Sequence, residues 1–369
     1  MKPKRIAAII LLLMMFVLPL YVVLGAPQFW QDLPVPTWKT LQNHTYMEQL
    51  NNYVSGQFAQ NRTLTGMQST LKYYTGVREE NGIFIGDNKL IKNLEEPEEE
   101  KLEANISAVN QLASARSGDV FLVLIPTSVV INQEEIPQYA TNVNQRDIID
   151  RVYNQVGENA RTIDAYSALF EKREEYLYYR TDDRLTISGA YEVYSAMIDK
   201  MGHYKRTIDA FDVEHARSDY YGPLYPMTYF KNVEPDRLSF YHYTKYDREF
   251  QIKVYGSGEV VESDSPYLTR WLYTDNPDMV YLGAGQIMTE IHVEESPYEE
   301  KLLLLGDDNA YKLGEFLQLH FQDITIVNTA RIAELPQEID LEEYDKIVMA
   351  FDVDTFTHTY QPFDMGGLE

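Results

Sequence analysis

The sequence predicts an α/β fold. Its parts are a parallel sheet flanked by helices, a β-rich segment inserted late in the chain, and a transmembrane helix at the N-terminus. Three observations carry this reading. Apolar runs at Val120–Ile125, Lys301–Leu305 and Lys346–Phe351 alternate with amphipathic stretches of helical length, as expected of strands covered on both faces by crossover helices. Between about residues 220 and 294 the texture changes to short alternating runs, the pattern of half-buried hairpins. Finally, Ile6 to Gly25 carries no charge.

Taken in order, Lys2, Lys4 and Arg5 precede that uncharged run. A helix of about 20 apolar residues crosses a hydrocarbon core of about 30 Å. The basic flank stays in the cytoplasm and sends the rest of the chain outside. Val23-Leu24-Gly25 also offers small residues for a signal peptidase, although Pro27 opposes cutting after Ala26. The run exceeds a signal core of about 7–15 residues, which favours an uncleaved anchor over residues 1–27. A linker and helical segment then spans 28–78, with Leu41, Met47, Leu50, Val54 and Phe58 at amphipathic spacing, and one domain covers 79–369. Gly82 to Ile91 reads as a hairpin about Gly86-Asp87-Asn88. The acidic run Glu95–Glu100, with Pro97 in it, suits the start of a helix over Lys101–Arg116. Then follow a strand at Val120–Ile125 ended by Pro126, a helix at Ile148–Val156, a strand at Thr162–Asp164 and a helix at Thr186–Met201. Inside the insertion, Leu238–Tyr243 and Phe250–Val254 predict hairpins. The chain closes with a strand at Lys301–Leu305, a helix at Asn309–His320, and strands at Ile324–Val327 and Lys346–Phe351.

Composition removes several functions. The chain has 57 acidic against 32 basic residues, a net charge of -25, so it repels phosphate backbones and nucleic acid is not a partner. With 44% apolar and 13% aromatic residues it has enough to bury a core. The absence of cysteine excludes disulfides, thiolate metal sites and a Cys nucleophile. The seven histidines fall into no ligand spacing, and no cofactor or metal site is expected. His242, within Phe240-Tyr241-His242-Tyr243, is the imidazole to weigh as a binding group or substitute base. Tyrosines cluster at Tyr176, Tyr178 and Tyr179 and again at Tyr220, Tyr221, Tyr225 and Tyr229. Such rings either stack on sugars or fill strands and sheet faces.

Five segments in order carry a resemblance. They are Glu80–Asp87, Asp119–Thr127, Tyr178–Thr186 with Gly189-Ala190-Tyr191, Leu302–Asp308, and Asp345–Met349. Together they resemble the DHHW proteins, which are SGNH-hydrolase-like and similar to alginate O-acetylation proteins. In that family the third segment reads Thr-Asp-His-His-Trp-Thr, and the fourth ends in Gly-Asp-Ser. The resemblance implies an SGNH-hydrolase-like fold and a triad in which Asp and the second His activate the Ser. Carried over residue by residue, Asp182 matches the orienting Asp. Asp183 replaces the first His, Arg184 the catalytic His, Leu185 the Trp, and Asp308 the Ser.

These substitutions dismantle the chemistry. A triad needs a hydroxyl or thiol nucleophile and an imidazole that takes and returns a proton. A guanidinium stays protonated and cannot act as a base. Asp308 attacks an acyl group only by forming a mixed anhydride. The expected arrangement is an ion pair of Arg184 with Asp308 or Asp182 filling the vacated site. Asp183, Asp307 and Asn309 are candidate binding groups beside it. A hard cation held by Asp182, Asp183, Asp307 and Asp308 is the rival arrangement, with Arg184 competing for the same place. The family setting implies a membrane-anchored, extracytoplasmic pseudoenzyme in cell-envelope polysaccharide O-acetylation, partnered by the membrane, a membrane-bound O-acyltransferase and the polysaccharide. The alternatives are an active acyl-ester hydrolase or acetyltransferase with a rewired carboxylate or metal site, and a purely structural envelope protein.

Overall fold

The computed structural model describes residues 34–361, apart from 43–44, 48, 51–61, 117–118, 157–159, 259 and 295. The proposed anchor over 1–27 lies outside the described residues. Among the described residues no helix is long and apolar enough to cross a membrane.

Two compact units emerge. The smaller joins the described residues up to Glu80 to Tyr225–Asn232. Its main element is helix α1 (Arg62–Tyr74), where Ser69 and Lys72 reach Glu80 at 2.5 and 2.7 Å. Gly66 of α1 lies so close to the Tyr229 carbonyl that a Cβ would collide with it.

The larger unit holds the remaining elements. In chain order they begin with strands β1 (Ile83–Ile85) and β2 (Leu90–Lys92), helix α2 (Glu99–Ala115) and strand β3 (Asp119–Ile125). Helix α3 (Gln145–Gln155), strand β4 (Arg161–Ile163), and helices α4 (Ala165–Glu171) and α5 (Ile187–Ile198) come next. Strand β5 (Phe211–Tyr220) leads into the insertion, which holds strands β6 (Asp236–Tyr243), β7 (Phe250–Tyr255), β8 (Val260–Ser263) and β9 (Met288–Val293). Strand β10 (Lys301–Gly306), helix α6 (Asp308–Leu317), strands β11 (Asp323–Asn328) and β12 (Lys346–Asp352), and helix α7 (Val353–His358) complete it.

The main sheet among the described residues has eight strands in the order β4-β3-β12-β10-β11-β9-β7-β8. Its first five strands pair in parallel. From β11 outward the pairing turns antiparallel. The expected all-parallel sheet is therefore corrected to a mixed one. Both hairpin runs of the insertion lie in antiparallel pairs as expected, β6 with β5 and β7 with β8. Three strands of the insertion also extend the main sheet, led by β9, which hydrogen-bonds both β11 and β7. The runs at Leu238–Tyr243 and Phe250–Val254 do not pair with each other. The first, in β6, pairs with β5 in a separate two-stranded sheet, and the second, in β7, pairs with β8 and β9. Strand pairing is decided across the sheet, where alternation along one strand is silent.

The central strands are buried between their ends: Leu302–Leu305 and Ile347–Phe351 are 0% exposed, which is why they read as continuous apolar runs. The Gly82–Ile91 hairpin forms as expected, pairing Ile83–Ile85 with Leu90–Lys92. The carboxyl ends of β10 and β12 lie side by side, Gly306 opposite Ala350, and the loops that leave them build the site. In open α/β sheets this edge is where ligands bind.

Candidate active site

Gly306 closes β10 because nothing larger fits: a Cβ there would collide with the Ala350 carbonyl and meet Ala310 Cβ at 2.8 Å. The chain then turns into α6. Asp307 caps that helix, accepting from Asn309 N–H at 2.8 Å and from Asp352 N–H at 2.6 Å. Asp307 is thus a structural cap rather than a free binding group. Asn309 is committed as well, its side-chain carbonyl accepting from Leu185 N–H at 3.2 Å. Asp308 is the first residue of α6, and its carboxylate faces the loop Thr181–Arg184.

That loop lies between the bridged residues Tyr178 and Leu185. Fully buried Asp236 holds it, accepting from Arg180 N–H at 2.5 Å, Thr181 N–H at 2.9 Å, the Thr181 hydroxyl and the Tyr176 hydroxyl. Thr186, at its end, caps α5 by accepting from Gly189 N–H at 3.1 Å.

Within this frame Arg184 is bound on every side. Its Nη2 and Nε reach Asp182 at 2.5 and 3.0 Å. Nη1 lies 3.2 Å from Asp278, 3.4 Å from Asp308 and 3.1 Å from Asn276 Oδ1. The expected ion pair is present in a larger form, with three carboxylates around one guanidinium. Tyr220 donates to Asp182 at 3.0 Å. Behind Asp278, the fully buried Lys312 ammonium bonds that carboxylate and donates to the Leu185 carbonyl at 2.7 Å, beneath the ring of Tyr179, whose hydroxyl donates to Asp278 at 2.9 Å.

The electrostatics follow the geometry. Burial alone pushes the Asp182 carboxyl up, but the charge and hydrogen bonds of Arg184 outweigh it and hold the group at about 2. Burial would lower Arg184, yet Asp278 and Asp182 raise it further above its already high value. Asp308 is raised, by burial first and despite Arg184. Asp183 is pushed up to about 6 by burial and by the charge of Asp182, against the pull of Lys92 at 3.3 Å. Burial lowers Lys312 against the pull of Asp278. Each raised or lowered group reports charge removed from water, with opposite charges compensating only part of the cost.

Among the described residues the imidazoles are engaged elsewhere. His203, His242 and His292 bond Glu300, Glu214 and Asp323, while His215, His320 and His358 bond Ser239, Tyr194 and the Glu96 carbonyl. His242 is therefore not brought to Asp308; it lies on β6, packed edge-on against Tyr267 at 5.4 Å. Among the described residues no group of three acidic or imidazole side chains is arranged to hold a metal ion. Tyr178, Tyr179 and Tyr220 are buried, so these tyrosines fill the core and offer no stacking surface.

Sequence reasoning missed Asn276, Asp278, Lys312 and Asp236, and had Tyr220 only as a member of a tyrosine cluster. Asp278 and Asn276 sit in the inserted segment, and only the signature of a charged residue inside an apolar helix marked Lys312.

The DHHW protein family profile matches residues 98–327, a span that contains both substituted segments. The chain belongs to the DHHW family. Among solved structures it is similar to a DHHW family protein from Eubacterium siraeum, at 17% identity and a TM-score of 0.60, covering 76% of this chain and 93% of that one. It is similar also to PatB1 of Bacillus cereus in a structure with a sulfonyl adduct, at 13% identity and a TM-score of 0.64, covering 76% and 98%. A looser likeness, to the O-acetyltransferase domain of Pseudomonas putida AlgJ, has a TM-score of 0.46 at 12% identity over 78% and 98% of the two chains, and decides nothing. Identities this low speak to fold alone. A search of curated proteins returned no match.

Proposed function

We propose that this chain is a non-catalytic, membrane-anchored and extracytoplasmic member of its family, a pseudoenzyme that serves envelope polysaccharide O-acetylation as a binding or assembly partner. The observation that carries the reading is the guanidinium of Arg184 lying between Asp182, Asp278 and Asp308. The family motifs put an imidazole base and a hydroxyl nucleophile at positions 184 and 308. Here the base is a permanent cation and the nucleophile a carboxyl group 3.4 Å from it. Losing one triad member costs about 10⁴- to 10⁶-fold in rate, and the losses do not add when the members act as a unit. Asp182 cannot restore what is missing, since it too is bound to Arg184.

The setting rests on family membership and on the resemblance to alginate O-acetylation proteins. It implies a membrane-bound O-acyltransferase and the glycan itself as partners. The uncharged run from Ile6 to Gly25 behind a basic flank supports the anchor and the outward orientation. A C-terminal tag digested by protease added to spheroplasts would support that orientation; a tag protected until the membrane is opened would refute it.

The direct test is acetyl-ester hydrolysis and transfer by the full chain, beside Asp308→Ala and the double change Arg184→His with Asp308→Ser. Wild type is expected to be silent. A sulfonyl fluoride, suggested by the adduct in PatB1, should leave no modification on residue 308 of wild type by mass spectrometry. If wild type turns over and Asp308→Ala abolishes it, the non-catalytic reading fails and carboxylate chemistry replaces it.

A further inference from the structure

One face of α1 is covered by its own unit. Gly66 lies against the Tyr229 carbonyl, Ser69 donates to the Thr228 carbonyl at 2.7 Å, and Tyr73 packs on Phe230 at 5.0 Å. The face beside it is apolar and open. Met67, Leu71 and Tyr74 follow one another at four- and three-residue spacing, which sets them in one stripe along the helix. They are 48%, 63% and 72% exposed. Val77, just past the helix, is exposed as well, and so is Trp38 on the short helix Trp38–Gln42. Apolar side chains scattered singly over a surface need no explanation, but a contiguous set marks a place that something covers. A helix of a water-soluble domain turns polar residues outward; α1 turns this stripe outward instead.

We propose that the stripe Met67–Leu71–Tyr74 lies in the headgroup region of the membrane that carries the chain, so that α1 is an interfacial helix. The inference rests on the anchor proposed above. Only residues 26–61 separate α1 from the uncharged run Ile6–Gly25. A random chain of that length averages roughly 35 Å end to end, which gives α1 a high effective concentration at the lipid surface. A few apolar side chains, too weak to bind a membrane from solution, then suffice. Charge agrees with this occupant. From residue 28 to residue 78 only Asp32 and Glu48 are acidic, against Lys39, Arg62, Lys72 and Arg78, in a chain of 57 acidic and 32 basic residues. Even with Lys72 taken by Glu80, the balance stays basic. A phosphate surface that repels the rest of the protein does not repel this part. The stripe also ends in Tyr74, whose amphipathic ring suits the boundary between headgroups and acyl chains. A second copy fits less well. Helix α1 has no acidic side chain, so two stripes face to face would bring like charges together.

The test uses the full chain, reconstituted into vesicles of phosphatidylethanolamine with a minor share of phosphatidylglycerol. The sequence has no cysteine, so a single polarity-sensitive fluorophore can be placed through Leu71→Cys. Tyr204→Cys, at an exposed ring of the larger unit, serves as the control. The label at 71 should shift to the blue and lose emission to nitroxide-bearing lipid, and the label at 204 should do neither. Adding Met67→Glu, at an exposed position, should return the label at 71 to water and leave the melting temperature unchanged. A label at 71 that stays in water, while the chain survives an alkaline wash in the membrane, overturns the inference and spares the anchor. A chain released by that wash overturns both. A blue shift without quenching would mean that protein covers the stripe, whether residues 28–61 or a second copy, and would overturn the membrane as its occupant.

Discussion

Arg184 and its carboxylates show how little of a residue's meaning lies in its type. Asp182 and Asp183 are neighbours in sequence, yet one is held at about 2 by Arg184 and the other pushed up to about 6 by burial and by Asp182. Their contributions to stability therefore run in opposite directions. Asp182, depressed below its ordinary 3.8, stabilises the fold above that value and loses its contribution as pH falls through about 2. Asp183, raised from 3.8, stabilises fully below that value and loses its contribution as pH rises through about 6. Melting curves of Asp183→Asn should lack the decline that wild type shows between those two values. An unchanged decline would place the titration elsewhere. Arg184→Met should cost about 3–5 kcal/mol in urea unfolding, because Asp182 would be left buried without its cation, while Asp278 keeps Lys312. A loss below about 1 kcal/mol would mean that the carboxylate takes up a proton at little cost.

Elements matter here chiefly through their ends. The caps that position the site, Asp307 on α6 and Thr186 on α5, come from residue types that favour that role. Thr186→Ala should cost about 1 kcal/mol of stability, more if the loop before it loosens, since the Thr186 hydroxyl also donates to the Tyr176 carbonyl at 2.6 Å. Gly306→Ala should be more damaging, about 1–3 kcal/mol, because β10 and β12 must part to admit a methyl group. Chemical denaturation of both variants would rank them, and the reverse order would show that the strand pair yields more easily than its packing implies. Gly285, at φ +83°, stands beside Asn276 and Asp308, so the insertion approaches the site along a backbone that a side chain would strain. Helix and strand positions were legible because burial on a sheet or helix leaves its pattern in the sequence, as the continuous run Leu302–Leu305 and the buried positions Leu102, Ile106, Val109 and Leu112 of α2 show. The roles of β9 and Asp278 were not, because neither has a local signature.

At the scale of the whole molecule, charge is the governing quantity. With 57 acidic against 32 basic residues, repulsion among exposed carboxylates opposes the compact state. Raising ionic strength from about 0.01 to 0.15 M shortens the screening length from about 30 to about 8 Å, so the melting temperature should rise. A fall would mean that surface ion pairs such as Arg151–Glu99 outweigh the net repulsion. The sequence by itself determined the alternation of strands and helices, the acidity, and the loss of the hydroxyl and imidazole at 308 and 184, since each is a matter of covalent identity or local period. Only the tertiary structure decided that Asn276, Asp278 and Lys312 would gather about Arg184, and that the insertion would extend the main sheet. Those outcomes depend on which distant segments pack together, and the free energy of packing is a property of the assembled fold that no short stretch of sequence carries.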